Sequence, residues 1–239
     1  QTLTSDSLTY SYDSVKVYSK TPLSTNKQIT DTAKATFTFP VFKDAKLNAL
    51  VQENALVSDN PDASAYVSYQ DYATGFIREF DNFKKDNADT HHTWFKDVDI
   101  EVLPQHKNYL GLKYSFVEYV GGAHQNSGVT YKNYTVNPLQ LIKLSDLIQD
   151  GKQKELTAIA EQIFRKSEKI SASKSLSEDY FFDKGVFVLN DNFTITNKGL
   201  MFLYNSYEIK AYAYGRTELL IPYTAIKHIL KPNSIVPVQ

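Results

Sequence analysis

The sequence predicts an α+β fold in which antiparallel sheets carry helices packed on one face. Alternating polar and apolar residues cluster in three parts of the chain, and helical patterns separate these clusters without a strict strand–helix alternation. Of the 239 residues 42% are hydrophobic, with only 9 glycines and 8 prolines, which suits a packed core with long elements. We expect two intimately packed sub-domains, residues 1–110 and 111–239.

The amino-terminal region predicts two strands followed by two helices. Residues 8–19 and 35–39 alternate polar and apolar positions, and residues 41–57 follow a helical period. Asn60-Pro61-Asp62 is typical of a helix start, with a cap, a first-turn proline and an acid at the positive end of the dipole. One face of this second helix is aromatic and comprises Tyr69, Tyr72, Ala73, Phe76, Phe80 and Phe83.

The middle of the chain, residues 92–136, predicts a half-buried antiparallel meander of three strands. The first strand alternates apolar residues with an acidic row of Asp97, Asp99 and Glu101. This row could steer a basic partner electrostatically, although the solvated face of a strand is the commoner reason for such a pattern.

The carboxyl-terminal region predicts a short helix capped by Ser145, a longer helix, and a return to strands. The longer helix presents Leu156, Ile159, Ala160 and Ile163 on one face. Strands are predicted at residues 186–189, 193–196, 200–204, 207–214 and 218–221. A turn at Asn197-Lys198-Gly199 and a closing helix at residues 222–230 complete the chain.

Charge and composition exclude several classes of function. The 26 basic and 27 acidic residues nearly cancel, which argues against nucleic acid as a partner. The absence of cysteine excludes disulfides, thiolate metal sites and cysteine nucleophiles. His91 and His92 are adjacent and point to opposite faces of a strand, so we predict no metal site, and we predict no cofactor. No nucleophile elbow, phosphate loop or zinc-protease motif is present, so no catalytic residues are predicted.

Two segments carry a resemblance to a known family. The first is Tyr119-Val120-Gly121-Gly122-Ala123-His124-Gln125-Asn126, followed by Lys143-Leu144-Ser145-Asp146-Leu147-Ile148. The second comprises Phe193-Thr194-Ile195-Thr196, Gly199-Leu200, Tyr207-Glu208-Ile209, Gly215 and Ile221-Pro222-Tyr223. In this order they resemble the paired bacterial extracytoplasmic domains DUF4163 and DUF3298, with a DUF4163-like part at residues 1–110 and a DUF3298-like part at residues 111–239. Ser206 stands where the family commonly has proline before the closing tyrosine.

The resemblance implies an exported protein of the cell envelope, such as a lipoprotein. The sequence starts at Gln1 and contains no apolar stretch that could span a bilayer, so we expect membrane contact only through a trimmed amino-terminal anchor. Family members include the sensory domain of a lysozyme-binding anti-sigma factor. Others lie beside a peptidoglycan deacetylase catalytic domain, so the shared part is not itself the catalyst.

The candidate ligand or partner site combines the two motif loops. Gly121 and Gly122 permit a close backbone approach, and His124 could present a hydrogen-bond donor or a switchable charge. The alternative is a tight strand connection in which His124 braces a neighbouring carbonyl. Tyrosine suits both protein interfaces and sugar faces. The candidate residues are Tyr119, Gly121, Gly122, His124, Asn126, Tyr207 and Glu208.

We therefore expect a non-enzymatic binding or sensing module of the cell envelope. Its partner would be a protein such as lysozyme or a peptidoglycan-derived ligand. Two alternatives stay open. One is a cell-wall glycan hydrolase or deacetylase that uses a carboxylate–histidine site, and the other is a structural accessory lipoprotein domain without a ligand of its own.

Overall fold

A computed structural model describes residues 8–24, 31–57 and 65–237, and these residues form an α+β structure as predicted. The strands are β1 (Tyr10–Tyr18), β2 (Lys34–Phe42), β3 (Phe95–Val102), β4 (Tyr109–Tyr119), β5 (Asn126–Val136), β6 (Leu139–Leu141), β7 (Phe193–Ile195), β8 (Gly199–Tyr204) and β9 (Thr217–Pro222). The α-helices are α1 (Ala45–Leu56), α2 (Tyr69–Asp86), α3 (Leu144–Leu147), α4 (Gln153–Ser167) and α5 (Tyr223–Ile226). Short 3-10 turns occupy Asp183–Gly185, Tyr212–Tyr214 and Lys227–Ile229.

Six strands form a mixed sheet in the order β1-β2-β3-β4-β5-β6. β1 runs antiparallel to β2, but β2 pairs with β3 in parallel, with Phe37 opposite Val98. The parallel pair differs from the expected all-antiparallel sheets. β2 and β3 can be parallel because α1 and α2 lie between them in the chain and provide the long crossover that parallel neighbours require.

The predicted meander is present as β3, β4 and β5. Leu103 N–H donates to the Gly111 carbonyl at 2.9 Å, while Ser115 Oγ reaches the Asp99 carbonyl at 3.4 Å, so β3 and β4 run in opposite directions. Between β4 and β5, Val136 N–H donates to the Asn108 carbonyl at 3.0 Å at the end remote from the connecting turn. Antiparallel pairing therefore extends through these three strands.

The chain forms two compact units that are each discontinuous in sequence. The amino-terminal unit contains Leu8–Glu101 and Tyr114–Gly128, and the carboxyl-terminal unit contains Val102–Lys113 and the chain from Val129 onward. A boundary between residues 110 and 111 stays a prediction. No helix in the described ranges combines the length and the apolar character that crossing a bilayer demands.

In the amino-terminal unit α2 packs its aromatic face on β1 and β2, as its periodicity predicts. Buried residues of this face include Tyr69, Phe76 and Phe80. Ser68 caps the helix, with its hydroxyl accepting from Asp71 N–H at 3.0 Å. α2 therefore begins at Tyr69, later than predicted, and the proposed start at residues 60–62 lies outside the described residues.

Two lysines of this unit are buried, and each has its own set of partners. Lys84 of α2 is 8% exposed, and its ammonium donates to the carbonyls of Leu23, Ala88 and Thr90 at 3.2, 2.7 and 2.6 Å. The last turn of α2 is thus joined to two connecting segments by one cation.

Lys96 of β3 occupies an aromatic cage. Its ammonium pairs with Glu118 at 2.7 Å and lies 4.9 and 5.4 Å from the ring centroids of Tyr72 and Phe116. Burial alone lowers the pKa of Lys96, but Tyr72 and Glu118 outweigh it and raise the pKa above its ordinary value. The cation is therefore held in its charged form.

In the carboxyl-terminal unit β7, β8 and β9 form an antiparallel sheet, and α4 packs against β9. α4 buries Leu156, Ala160 and Phe164, so its predicted face is confirmed. Ser145 lies inside α3 and does not cap it. The Asp146 carboxylate accepts from Lys143 N–H at 2.7 Å and stabilises the start of this helix instead.

Two of the predicted carboxyl-terminal strands are wrong. Residues 186–189 do not belong to a strand, and residues 207–214 form a turn followed by the 3-10 turn Tyr212–Tyr214. In the second segment Ile209 is buried while Tyr207 and Tyr214 are exposed. Alternating residue types there match the period of a strand, but the apolar side chains do not share one buried face.

A buried polar network joins β4, β5 and β7 within the carboxyl-terminal unit. Tyr109 donates to Asn133 Oδ1 at 2.8 Å and lies 3.0 Å from Thr194 Oγ1. Asn133, only 3% exposed, uses its amide nitrogen to donate to the Phe193 carbonyl at 2.8 Å. Burial raises the pKa of Tyr109, so the phenol keeps the proton that it donates.

Candidate functional site

The predicted glycine turn connects β4 to β5 and belongs to the amino-terminal unit. Gly121 and Gly122 have φ values of +96° and +106°, which L-residues rarely adopt. No atom lies within 4 Å of the position of a Cβ at either glycine. The glycines are therefore required for the backbone conformation, and the space above them is open.

Side chains of the motif brace this turn. The Tyr119 hydroxyl donates to the Gly122 carbonyl at 2.9 Å, and His124 Nδ1 lies 3.0 Å from the Gln125 carbonyl oxygen. Asn126 Nδ2 lies 3.5 Å from Glu118 Oε1. These contacts are those of a tight strand connection, while the contact of His124 with a partner stays a prediction.

An aromatic surface adjoins the turn. The Tyr119 ring lies 6.2 Å from the Phe95 ring in a near-parallel arrangement and 6.3 Å from the His92 ring at an angle of 71°. Tyr119 is half-buried, and His92 and His124 are exposed. The turn therefore presents aromatic and imidazole groups that are able to stack and to donate hydrogen bonds.

The acidic row follows the less buried face of β3. Asp99 and Glu101 are exposed and Asp97 is half-buried, whereas Val98 and Ile100 between them are buried. This is the alternation that the sequence predicts. Steering of a basic partner by the row stays a prediction.

The second predicted loop, around Tyr207 and Glu208, belongs to the carboxyl-terminal unit. Tyr207 has a φ of +69°, is 56% exposed, and packs its ring 5.4 Å from the Tyr212 ring. A bulky residue in the left-handed region is uncommon. The turn therefore holds an aromatic pair at the surface instead of burying it.

Glu208 holds this turn in place. Its carboxylate accepts from Asn205 N–H and from Asn190 Nδ2, both at 2.7 Å. Asn205 in turn exchanges two hydrogen bonds with the backbone of Val129, at 2.8 and 2.9 Å. Glu208 is therefore a positioning residue for the Tyr207 turn, a role that the sequence alone does not distinguish from ligand contact.

The histidines do not assemble into a metal site in the described part of the chain. No group of three or more histidine, aspartate or glutamate side chains there is close enough to hold an ion. His106 Nε2 lies 3.0 Å from the Ile235 carbonyl oxygen, and burial is the main cause that lowers its pKa.

A cavity in the carboxyl-terminal unit was missed by the sequence analysis. It has a volume of about 490 Å³, and β5, β6 and the start of α3 and α4 contribute to its walls. Its charged lining residues are Lys132, Lys143 and Asp191. These residues are far apart in sequence, and each alone has the appearance of an ordinary surface charge. The motif residues Lys143, Leu144, Ser145 and Phe193 lie in its lining, but nothing in the motifs indicates a cavity.

A second cavity, of about 390 Å³, lies in the amino-terminal unit between β2, α1 and the start of α2. Phe39 and Tyr69 line it and stack at 4.1 Å, and the amides of Asn48 and Gln52 are also at its wall. Both Asn48 amide atoms are engaged with the Phe42 backbone at 2.8 Å. Its lining residues carry no charge.

Comparison with known families identifies two matched segments. Residues 145–224 match the family described as "Protein of unknown function (DUF3298)", and residues 26–127 match the family described as "Deacetylase PdaC". The match to DUF3298 agrees with the resemblance of the carboxyl-terminal motifs. The DUF4163 assignment of the amino-terminal region stays a prediction.

A curated relative covers most of this chain at low identity. The peptidoglycan-N-acetylmuramic acid deacetylase PdaC of Bacillus subtilis (strain 168) is 22% identical over 205 residues. The alignment includes 82% of this chain and 39% of the deacetylase, so the chain spans well under half of that enzyme.

Solved structures of DUF3298 family members share the fold. The chain superposes on a DUF3298 protein of Pseudomonas aeruginosa PAO1 with a TM-score of 0.76 and 20% identity, covering 98% of this chain and 99% of the other. A DUF3298 member from Bacteroides fragilis NCTC 9343 gives a TM-score of 0.70 and 23% identity, with 95% of both chains covered. The chain therefore contains a DUF3298 segment and a PdaC-like segment, within a fold that DUF3298 proteins also adopt.

Proposed function

We propose that the protein is a non-enzymatic binding module of the cell envelope that recognises a peptidoglycan-derived ligand or a protein such as lysozyme. The PdaC-like segment supports a cell-wall setting, since the curated relative is named for its action on peptidoglycan. That setting also supports an extracytoplasmic location.

The observation that carries the proposal is the exposed ring of Tyr207, which packs on the half-buried ring of Tyr212 on a braced turn. Glu208 fixes the turn through two 2.7 Å hydrogen bonds, so the Tyr207 ring loses little further freedom on binding. A tyrosine ring offers apolar area with a polar tip, which suits a pyranose face or a protein anchor.

The first experiment is direct binding of the purified protein to soluble peptidoglycan fragments and, in parallel, to lysozyme. Calorimetry with Tyr207→Ala should show an affinity about tenfold weaker for the ligand that binds, because the exposed ring makes the contact. Tyr18→Ala is the matched control, since Tyr18 is 58% exposed and Tyr207 is 56% exposed. Equal affinities for wild type and Tyr207→Ala would remove this turn from the site.

The glycine turn is tested separately with His124→Ala. We expect weaker binding without loss of the fold, because His124 is exposed and its contact with the Gln125 carbonyl is local. A melting temperature equal to that of wild type checks the fold. If affinity is also unchanged, His124 only braces the turn.

Turnover of labelled peptidoglycan decides between a binding module and a deacetylase or hydrolase. We expect no product even at protein concentrations high enough to bind the ligand stoichiometrically. Deacetylated or cleaved product that disappears on mutation of a described acidic or histidine residue would contradict the non-enzymatic assignment.

A further inference from the structure

The 490 Å³ cavity of the carboxyl-terminal unit combines charges of both signs that the fold itself does not use. Lys132 and Lys143 line the cavity, and neither forms an ion pair within the described ranges. Asp191 lines it as well and likewise has no ion-pair partner among the described residues. Two positive charges and one negative charge therefore meet at one concave surface.

Uncharged polar side chains of this cavity are also available. Ser145 and Gln153 line it, and neither side chain makes a hydrogen bond to another described residue. By contrast, the lining residue Asn133 has both amide atoms occupied, by Tyr109 and by the Phe193 carbonyl. The hydrogen bonds around Asn133 are thus complete within the protein. The side chains that remain available to a ligand are those of the other polar lining residues.

The walls of the cavity are held by backbone contacts that do not depend on these side chains. Ile142 N–H donates to the Asn133 carbonyl at 2.7 Å, which fixes β6 beside β5. The Asp146 carboxylate accepts a hydrogen bond from Lys143 N–H at 2.7 Å, which fixes the start of α3. The backbone at Lys132 and Lys143 is therefore set before any ligand arrives, and the cavity volume falls within the range of about 300–1,000 Å³ of small-molecule sites.

From this arrangement we infer that the cavity is a ligand site for a zwitterionic peptide, with Lys132 and Lys143 binding carboxylate and Asp191 binding an ammonium group. A neutral sugar would leave all three charges unpaired, and a simple anion would leave Asp191 unpaired next to a negative charge. A short peptide with more carboxylates than ammonium groups can pair carboxylates with both lysines and an ammonium group with Asp191.

This inference rests on the proposed function for its choice of ligand, because the peptide portion of peptidoglycan has this chemistry. The probe is the stem tripeptide L-Ala-γ-D-Glu-meso-diaminopimelate, whose carboxylates outnumber its ammonium groups. Two derivatives serve as comparisons: the amino-acetylated tripeptide, which lacks ammonium groups, and the carboxamide form, which lacks carboxylates.

The experiment is calorimetric titration of the tripeptide into the full chain. Lys132→Gln and Lys143→Gln should each weaken binding about tenfold and lower its salt dependence, since each removes one charge pair. Asp191→Asn should weaken binding of the tripeptide but should not change binding of its acetylated form. Lys227→Gln is the matched control, an exposed lysine of the same unit that does not line the cavity.

Each outcome decides between the site and the wider proposal. Tripeptide binding that is unaffected by all three cavity substitutions would overturn the site assignment. Equal binding of the tripeptide and its acetylated form would overturn the role of Asp191. If the tripeptide does not bind, but glycan fragments or lysozyme bind and Tyr207→Ala weakens that binding, the inference about the cavity is wrong and the proposed function stands. Failure of every probe would overturn both.

Discussion

At the scale of single residues, Lys84 illustrates a role that its sequence position conceals. It lies on a helix near several acidic residues, where a lysine is typical of a solvated face. In the structure it is 8% exposed and donates to three carbonyls in two connecting segments. Those segments have no sequence signal that marks them as acceptors, so this contact could not be predicted from the pattern of α2.

Replacing Lys84 by methionine should lower the free energy of unfolding by about 2–4 kcal/mol, because three carbonyls lose a charged donor. Methionine keeps the apolar stem, so the loss reports on the ammonium group. Lys85→Met on the exposed neighbouring position is the control and should change stability by less than about 0.5 kcal/mol. Urea unfolding followed by circular dichroism measures both, and equal effects would contradict this role.

Glu208 is a second residue whose structural role is not evident from the sequence, while its contact with a ligand stays a prediction. The sequence places it in the candidate binding site, whereas the structure shows both carboxylate oxygens engaged with Asn190 and Asn205. Sequence reasoning could not separate these roles, because Asn190 and Asn205 become neighbours of Glu208 only through the fold.

At the scale of elements, amphipathic patterns predicted the helices well and the short carboxyl-terminal strands less well. The aromatic face of α2 was predicted because its spacing fits only a helix. The segment 207–214 alternates residue types over too short a distance to distinguish a strand from consecutive turns. The parallel pairing of β2 with β3 also could not be read from periodicity, which is the same for both strand directions.

The pairing of β8 with β9 depends on Gly199. A Cβ at this position would lie 2.1 Å from the Ile221 carbonyl oxygen, a backbone atom that cannot move without breaking the pair. Gly199→Ala should therefore cost about 3 kcal/mol, the upper end of overpacking costs.

Gly151→Ala is the control for this substitution. Gly151 has a φ of +78° but open space around its Cβ position, so alanine there meets only conformational strain of about 1–2 kcal/mol. Thermal unfolding of both variants compares the two effects. A Gly199→Ala protein as stable as Gly151→Ala would contradict the close approach.

At the scale of the whole molecule, the α+β class was predictable from the clustering of strand and helix patterns. The division into two discontinuous units could not be predicted from the sequence. Residues 114–128 belong with the amino-terminal unit and residues 102–113 with the carboxyl-terminal unit, so the chain passes between them within β3, β4 and β5. No change in composition marks these crossings, because each lies inside a continuous strand.

A fragment that ends at residue 110 should fail to fold cooperatively. It lacks Glu118, which pairs with the buried Lys96 at 2.7 Å, and Tyr114, whose hydroxyl donates to the Val51 carbonyl at 3.3 Å. A fragment that ends at residue 128 keeps both contacts and should retain more structure. Urea titration with circular dichroism compares them. Equal cooperative transitions would favour a boundary at residues 110–111.

The buried Asn133 has a consequence for how the protein can be produced. Asn133-Tyr134-Thr135 and Asn192-Phe193-Thr194 are both acceptor sequences for N-linked glycosylation. Both amide atoms of Asn133 are engaged inside the carboxyl-terminal unit, and Asn192 bonds the backbone of Val129 and Tyr131. A glycan on the Asn133 amide nitrogen would not fit beside the Phe193 carbonyl, because Asn133 is only 3% exposed. Chains glycosylated at Asn133 during secretion from a eukaryotic host should therefore fail to reach this fold, whereas a host without this glycosylation avoids the conflict.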